Sequence, residues 1–96
     1  MSKNFTYPEV IDELRDICRK HLDGNATVHE LQSVVRRSES SVVAVEEKDI
    51  RNLLTDIEGR IELIIFTVES SSQLEENQKI SHSLLDWLAF RENSSL

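Results

Sequence analysis

The stretch from residue 46 to residue 68 constrains the fold more than any other part of the chain. Its apolar residues recur every three or four positions, so they fall on one side of a helix with about 3.6 residues per turn. They are Ile50, Leu53, Leu54, Ile57, Ile61, Ile64 and Val68. No other segment is as long or as apolar. We therefore predict a helix here that is the longest of the chain and organises its core.

Two helices are predicted before this stretch. Residues 6–9 and 27–30 both have the capping-box pattern, in which a threonine and a glutamate satisfy each other's backbone amides at a helix start. Gly24 is predicted to end the first helix in a left-handed conformation. The second helix is predicted to be short, because the serines within residues 38–41 favour a turn.

The region around residues 42–45, Val-Val-Ala-Val, fits either an extended segment or the opening of the third helix. We favour a helix that begins at about Ser41 or Val42. A fourth helix is predicted after the serines at 70–72, one of which can cap it. Its buried side is marked by Leu74, Ile80, Leu84, Leu85, Trp87 and Leu88.

These segments predict one helical domain over residues 1–96, with frayed ends at 1–5 and 92–96. Only two glycines and one proline are present, whereas an all-β domain would need many tight turns. The predicted fold class is therefore all-α, a small bundle of four main helices with a long third helix.

Leu63 and Phe66 do not lie on the apolar side of the third helix. They lie on the opposite side, close to the direction of Gly59 around the helix axis. One interpretation is that the helix runs through the middle of the bundle, with Gly59 letting a neighbour approach. The other is an exposed patch at a homodimer or partner interface. The sequence leaves both open.

No catalytic or metal site is predicted. Cys18 is the single cysteine, and it lies on the apolar side of the first helix, where a buried thiol is the expected state. His21, three residues later, fits packing better than catalysis. His29 and His82 share no spacing with other metal ligands, and no phosphate-binding or calcium-binding loop is present. We expect neither cofactor nor enzymatic activity.

The chain is acidic, with 18 Asp and Glu against 11 Lys and Arg and a net charge of −7. This charge disfavours direct binding to nucleic acid or to an anionic membrane, since both require a positive field. The N-terminus has no signal-peptide pattern, and no run approaches the length of a membrane span. We expect a cytoplasmic protein.

Acidic residues flank the apolar side of the third helix. Glu47, Glu58, Glu62 and Glu69 lie within a narrow band on one flank, interrupted by Arg51. A solvated helix face accounts for such a band. The same band also suits docking against a basic protein surface. The candidate partner-binding residues are these four glutamates, followed by Asp12 and Asp16 on the outer face of the first helix.

Within the stretch 41–69, one pattern combines charged, apolar and glycine positions. Its residues are Glu46, Glu47, Lys48, Ile50, Arg51, Asn52, Leu54, Glu58, Gly59, Ile61, Leu63, Ile64, Phe66, Thr67 and Val68. With this pattern the stretch resembles small helical immunity proteins of bacterial contact-dependent growth inhibition and related polymorphic toxin systems. The preceding segment HELQSVV, residues 29–35, also fits the short helix of this family.

The resemblance implies a cytoplasmic antitoxin-type inhibitor that binds one cognate toxin domain without chemistry. The expected toxin is a basic nuclease, an RNase in preference to a DNase. Monomer and weak homodimer are both compatible with this interpretation. The alternative is a self-associating helical adaptor or regulatory protein without catalytic activity, in which Leu63 and Phe66 face a second copy.

Overall fold

The structure is a computed structural model that describes residues 5–94. Within this range the chain forms four α-helices, α1 (Pro8–Leu22), α2 (Val28–Ser41), α3 (Lys48–Thr67) and α4 (Ser70–Ser94), with a short 3-10 turn (Val45–Glu47) before α3. No strand is present among these residues. The predicted all-α bundle of four main helices is confirmed.

The four helices pack as a ring in chain order. α2 packs against α1 and α3, and α4 packs against the same two helices from the other side. α1 and α3 are therefore diagonal partners. The inward side of α3 is the predicted one, and Ile50, Leu54, Ile57 and Ile61 are fully buried on it. The other helices contribute Ile11, Leu14, Ile17, Cys18, Leu31, Val34, Val35, Ile80, Leu84 and Leu88 to the same core.

The third helix is long, at 20 residues, but the prediction that it is the longest is wrong, because α4 has 25 residues. None of the helices among the described residues is long and apolar enough to cross a bilayer. Residues 1–4 and 95–96 of the predicted frayed ends lie outside the described residues. Within the described part, Phe5 is buried and α4 continues through Ser94.

The two capping-box patterns have different outcomes. Thr27 forms the predicted box, in which the Glu30 amide donates to Thr27 Oγ1 at 3.1 Å and the Thr27 amide donates to Glu30 Oε1 at 2.9 Å. The box predicted at Thr6 is wrong. Tyr7 occupies the N-cap position of α1 without a side-chain cap, and the Thr6 amide donates instead to the distant Glu47 carboxylate.

The region between α2 and α3 also differs from the prediction. α2 is longer than predicted and includes all four residues of the 38–41 segment, since the Ser41 hydroxyl donates to the Arg37 carbonyl at 2.9 Å within the helix. α3 begins at Lys48 and not near Val42. Val42 is buried, and the Ala44 amide donates to the Tyr7 hydroxyl at 3.0 Å, so this segment is held outside the helix by tertiary contacts.

The end of α1 follows the prediction. Gly24 has a φ of +79°, in the left-handed region, and the Asn25 amide donates to the Lys20 carbonyl at 2.7 Å. At the far end of α3, the Gln73 side-chain amide donates to the carbonyls of Ile65 and Val68. This contact satisfies helix-end carbonyls and turns the chain into α4.

A buried carboxylate joins the start of α3 to both ends of the described chain. Glu47 is 1% exposed, and it accepts hydrogen bonds from the Thr6 amide and from the Arg91 guanidinium near the end of α4. Arg91 also pairs with Asp49 at 3.3 Å, and its guanidinium lies 4.9 Å from the centre of the Phe5 ring. The N-terminal segment, the 3-10 turn and α4 are thereby fixed together.

We expect Glu47→Ala to lower the free energy of unfolding by about 3 kcal/mol, because it removes one member of a buried ion pair and leaves Arg91 without its main partner. Glu46→Ala is the matched control on the neighbouring, exposed residue, and should change stability by no more than about 0.5 kcal/mol. Urea unfolding measures both. Equal losses in the two variants would contradict the structural role of Glu47.

Candidate functional site

The predicted acidic band on α3 does not form one continuous surface. Glu47 is buried in the contact with Arg91, so its prediction as a partner-binding residue is wrong. Glu47 precedes α3 and contacts α4, whereas Glu58 and Glu62 of the same predicted band contact α2. Periodicity could not show that the end of α4 and the N-terminal segment contact Glu47.

Glu58 and Glu62 lie along the contact between α3 and α2, where both pair with Arg36. Arg36 Nε donates to Glu58 Oε1 at 2.7 Å, and Arg36 Nη2 donates to Glu62 Oε1 at 3.1 Å. The hydrogen bond to Glu58 and the charges of both carboxylates raise the pKa of Arg36. Both glutamates still reach solvent, Glu62 more than Glu58. Part of their charge is therefore used to hold α2 against α3.

Asp12 and Asp16 lie in a different place, beside the groove between α1 and α4. Asp12 lies 3.8 Å from Arg15, and Asp16 pairs with Lys20 at 3.0 Å. In the ring of helices, the α1–α4 groove is opposite the α2–α3 seam. The structure therefore does not bring the aspartates of α1 and the glutamates of α3 together on one face.

The outward side of the C-terminal half of α3 is open to solvent. Leu63 is 62% exposed and Phe66 is 81% exposed. A Cβ atom at Gly59 would have no neighbour within 4 Å, so no helix approaches there. The interpretation of α3 as a central helix packed on this side is wrong. The interpretation of Leu63 and Phe66 as an exposed patch agrees with the structure.

Two carboxylates flank this patch along the chain. Glu62 is four residues before Phe66, which places it beside Phe66 on the helix surface. Glu69 follows the end of α3 at Thr67 and lies in the connection to α4. Glu69 is exposed and forms no ion pair within residues 5–94. Glu62, Leu63, Phe66 and Glu69 are named here the α3 outer face. It combines two exposed apolar side chains with two carboxylates, of which Glu62 is half exposed and paired with Arg36 and Glu69 is exposed.

A shallow groove of about 280 Å³ lies beside the α3 outer face, between α3 and α4. Leu63, Ile64 and Ile80 form its apolar part, and Arg60 and Lys79 stand at its edge. Arg60 pairs with Asp56 at 3.0 Å, and Lys79 pairs with Glu76 at 3.0 Å. Sequence reasoning missed this groove, because it depends on how α4 is rotated against α3.

A cluster of four polar side chains lies inside the bundle, between α1 and α4. Cys18, His21, Asn77 and Ser81 are all fully buried, and His21 Nδ1 lies 3.1 Å from Ser81 Oγ. Sequence reasoning missed Asn77 and Ser81. The available signal was their spacing, since both continue the apolar side of α4 marked by Leu84 and Leu88.

Burial shifts the pKa values of two side chains in this polar cluster. It raises the pKa of the Cys18 thiol to about 11, which a hydrogen bond from Ser81 offsets only in part. The thiol is therefore protonated near neutral pH, and it lacks the reactivity of a thiolate. Burial also lowers the pKa of His21. Within residues 5–94, no three His, Cys, Asp or Glu side chains are grouped as a metal site would require.

Comparisons of the chain with protein-family models, with curated proteins and with solved structures found no match.

We expect acid to destabilise the fold through His21. The pKa of His21 in the folded protein is below its ordinary value of 6.5, so the unfolded chain binds more protons as the pH falls through 6.5. Above pH 6.5, where His21 is neutral, its titration does not lower the free energy of unfolding. Below pH 6.5 the free energy of unfolding falls, by at most about 1.4 kcal/mol per pH unit.

Urea unfolding between about pH 7 and pH 5.5, where few carboxylates are protonated, measures this slope. In His21→Gln the slope should flatten. His82→Gln replaces an exposed histidine and should keep the slope of the unmodified protein. Identical slopes in the two variants would contradict the assignment to His21.

Proposed function

We propose that this protein is a non-catalytic inhibitor that binds a cognate toxin domain with a basic surface through the α3 outer face. The observation that carries the proposal is the pair of large apolar side chains, Leu63 and Phe66, exposed on the outward side of α3, with Glu62 on the same helix and Glu69 exposed just beyond its end. The resemblance of residues 41–69 to immunity proteins points to the same class of partner.

The composition of the α3 outer face fits a protein-binding surface. Exposed apolar side chains that are grouped and rimmed by polar residues mark interaction sites more often than scattered ones do. In such sites an aromatic anchor supplies most of the binding energy, and the surrounding charges select the partner and speed association. Phe66 is suited to be the anchor, with Glu62 and Glu69 as the charged rim.

The proposed partner is a nuclease domain, an RNase in preference to a DNase. A nuclease must present positive charge to a phosphate-rich substrate, and a protein with a net charge of −7 complements such a surface. Binding there excludes the nucleic acid by steric overlap and by charge. The inhibitor needs no catalytic group for this.

The structure changes which acidic residues are suitable for testing the proposal. Reversing Glu58 and Glu62 to lysine would place two positive charges against Arg36, so stability and binding would change together. Glu69 forms no ion pair within the described residues, and Phe66 is almost fully exposed. Substitution of Phe66 therefore tests binding with little effect on the fold. Glu69 directly precedes α4, so a change of its charge also acts on the N-terminus of that helix.

We expect Phe66→Ala to weaken binding by about 30-fold to the toxin domain encoded beside the gene for this protein, and to weaken protection of cells that express it. Phe90→Ala is the matched control, because Phe90 is also exposed. α4 begins four residues after Phe66, and Phe90 lies near the far end of α4, about 30 Å along the helix from its start at 1.5 Å per residue. Calorimetry measures both. Equal affinities in the two variants, or a neighbouring gene that encodes no toxin, would reject the proposal.

The role of the charged rim is tested separately, by the rate of association. Glu69→Lys should slow association with the same toxin domain and reduce its dependence on salt. Glu46→Lys changes the net charge equally but lies at the opposite end of α3, so it should slow association less. Stopped-flow measurements at several salt concentrations distinguish the local from the global effect of charge.

The second candidate function is a self-associating adaptor, in which Leu63 and Phe66 face a second copy of the chain. The groove beside them favours this candidate, because Arg60, Glu76 and Lys79 provide both signs of charge. Such a surface can complement itself across a two-fold axis.

Sedimentation velocity separates the two candidates. For the toxin-binding inhibitor we expect a monomer at micromolar concentration. For the adaptor the expected result is a dimer that Phe66→Ala disrupts and Phe90→Ala leaves intact. A strict monomer would reject the adaptor, whereas a stable dimer built on Phe66 would remove that residue from the proposed toxin contact.

A further inference from the structure

A groove of about 370 Å³ lies at the start of α3, between that helix and the connection that leaves α2. It is named here the basic groove, and its lining includes the exposed side chains of Val43, Val45, Lys48, Arg51, Asn52 and Thr55. Lys48 precedes Phe66 by 18 residues, or about 27 Å along the helix axis at 1.5 Å per residue. The basic groove is therefore separate from the α3 outer face.

The two cations of this groove are not compensated by the protein. Lys48 and Arg51 have no ion-pair partner within residues 5–94. The other lysines and arginines of this range pair with a carboxylate, except for Arg19, which shares its own groove with carboxylates. The acidic residues on either side of Lys48 both pair with Arg91. Two positive charges thus remain side by side on a chain whose net charge is −7.

The position of the two cations does not serve the stability of α3. Lys48 is the first residue of the helix and Arg51 the fourth, and positive charge in the first turn is unfavourable at the positive end of the helix dipole. Residues three apart are neighbours on the helix surface, with Cβ atoms about 5–6 Å apart, so the two charges also repel each other. An anion placed over both would relieve these costs.

Apolar surface lies beside the two cations. Val43 is 68% exposed and Val45 is 85% exposed. Their segment is anchored by the buried Val42 and by the hydrogen bond from the Ala44 amide to the Tyr7 hydroxyl. The two exposed valines are therefore held at the groove without contributing to the core.

We propose that the basic groove binds an extended, acidic segment of a partner protein. Alternate side chains of an extended segment lie on the same side, about 7 Å apart. Two carboxylates in that arrangement match the spacing of Lys48 and Arg51, and an apolar side chain farther along the same side covers the exposed valines.

The combination of charge and apolar surface favours a protein segment over nucleic acid. A nucleic acid continues beyond two phosphates, and it would meet the net negative charge of the chain. Its phosphates would also leave Val43 and Val45 uncovered. The basic groove selects negative charge, which is the reverse of the α3 outer face. Its occupation does not depend on whether that face binds a toxin.

Two capped pentapeptides of matched shape test the proposal. One has the order glutamate, serine, glutamate, serine, leucine, and the other has glutamine in place of each glutamate. With the ¹⁵N-labelled full chain at about pH 7 and low salt, the acidic peptide should cause saturable chemical-shift changes at the amides of Val45, Lys48 and Arg51. The expected dissociation constant is on the order of 1 mM, and it should rise several-fold in about 0.5 M salt, which screens the charges.

The glutamine peptide should cause no saturable changes at these amides, because it has the same shape without the charge. Absence of a saturable response to the acidic peptide, or equal responses to the two peptides, would overturn the proposal. A stronger saturable response to oligouridylate would also overturn it, because the groove would then be a nucleic-acid site.

A matched pair of double variants tests the role of the two cations. Lys48→Gln with Arg51→Gln removes two exposed charges from the basic groove and should weaken binding of the acidic peptide about tenfold. Arg60→Gln with Lys79→Gln removes the same two kinds of charge from the groove between α3 and α4, where each has an ion-pair partner. This control should change the affinity by less than about twofold, because solvent and salt screen distant charges. Equal losses in the two double variants would overturn the assignment.

Discussion

The position of both chain ends depends on one buried carboxylate. Glu47 accepts from the Thr6 amide, 41 residues away along the chain, and from Arg91, 44 residues away in the other direction. A buried carboxylate is costly unless its hydrogen bonds and its countercharge are provided together. The Thr6 amide, which precedes α1, supplies one hydrogen bond to this carboxylate, and α4 continues far enough for Arg91 to supply the countercharge.

Arginine–carboxylate pairs recur at each contact between neighbouring helices. One arginine bridges each of the four seams of the ring to a carboxylate on the adjacent helix. The pairs are Arg37 with Glu13 between α1 and α2, Arg36 with Glu58 and Glu62 between α2 and α3, Arg91 with Asp49 between α3 and α4, and Arg15 with Glu92 between α1 and α4. Exposed pairs of this kind each contribute little stability, about 0 to 1 kcal/mol. They also place arginines along the seams, and Arg36 compensates part of the charge of Glu62 in the α3 outer face.

The helices could be predicted from sequence because their signals are local. The three-to-four spacing of Ile50, Leu54, Ile57 and Ile61 identifies the buried side of α3, and Gly24 identifies the end of α1. The failures have non-local causes. The same capping pattern forms at Thr27 and fails at Thr6, because a carboxylate from a distant segment takes the Thr6 amide.

The candidate site was less predictable for the same reason. Spacing places Glu47 and Glu62 on one flank of α3, yet one is covered by α4 and the other reaches solvent. Spacing also places Leu63 and Phe66 on the back of the helix without showing whether a neighbour lies there. Only the ring arrangement decides this, because it surrounds α3 with α2 and α4 and leaves the third side open. The side chains on that open side are not needed to hold the bundle together. Their identity is therefore not fixed by the packing of the bundle, whereas Glu47 and the inward isoleucines maintain the fold.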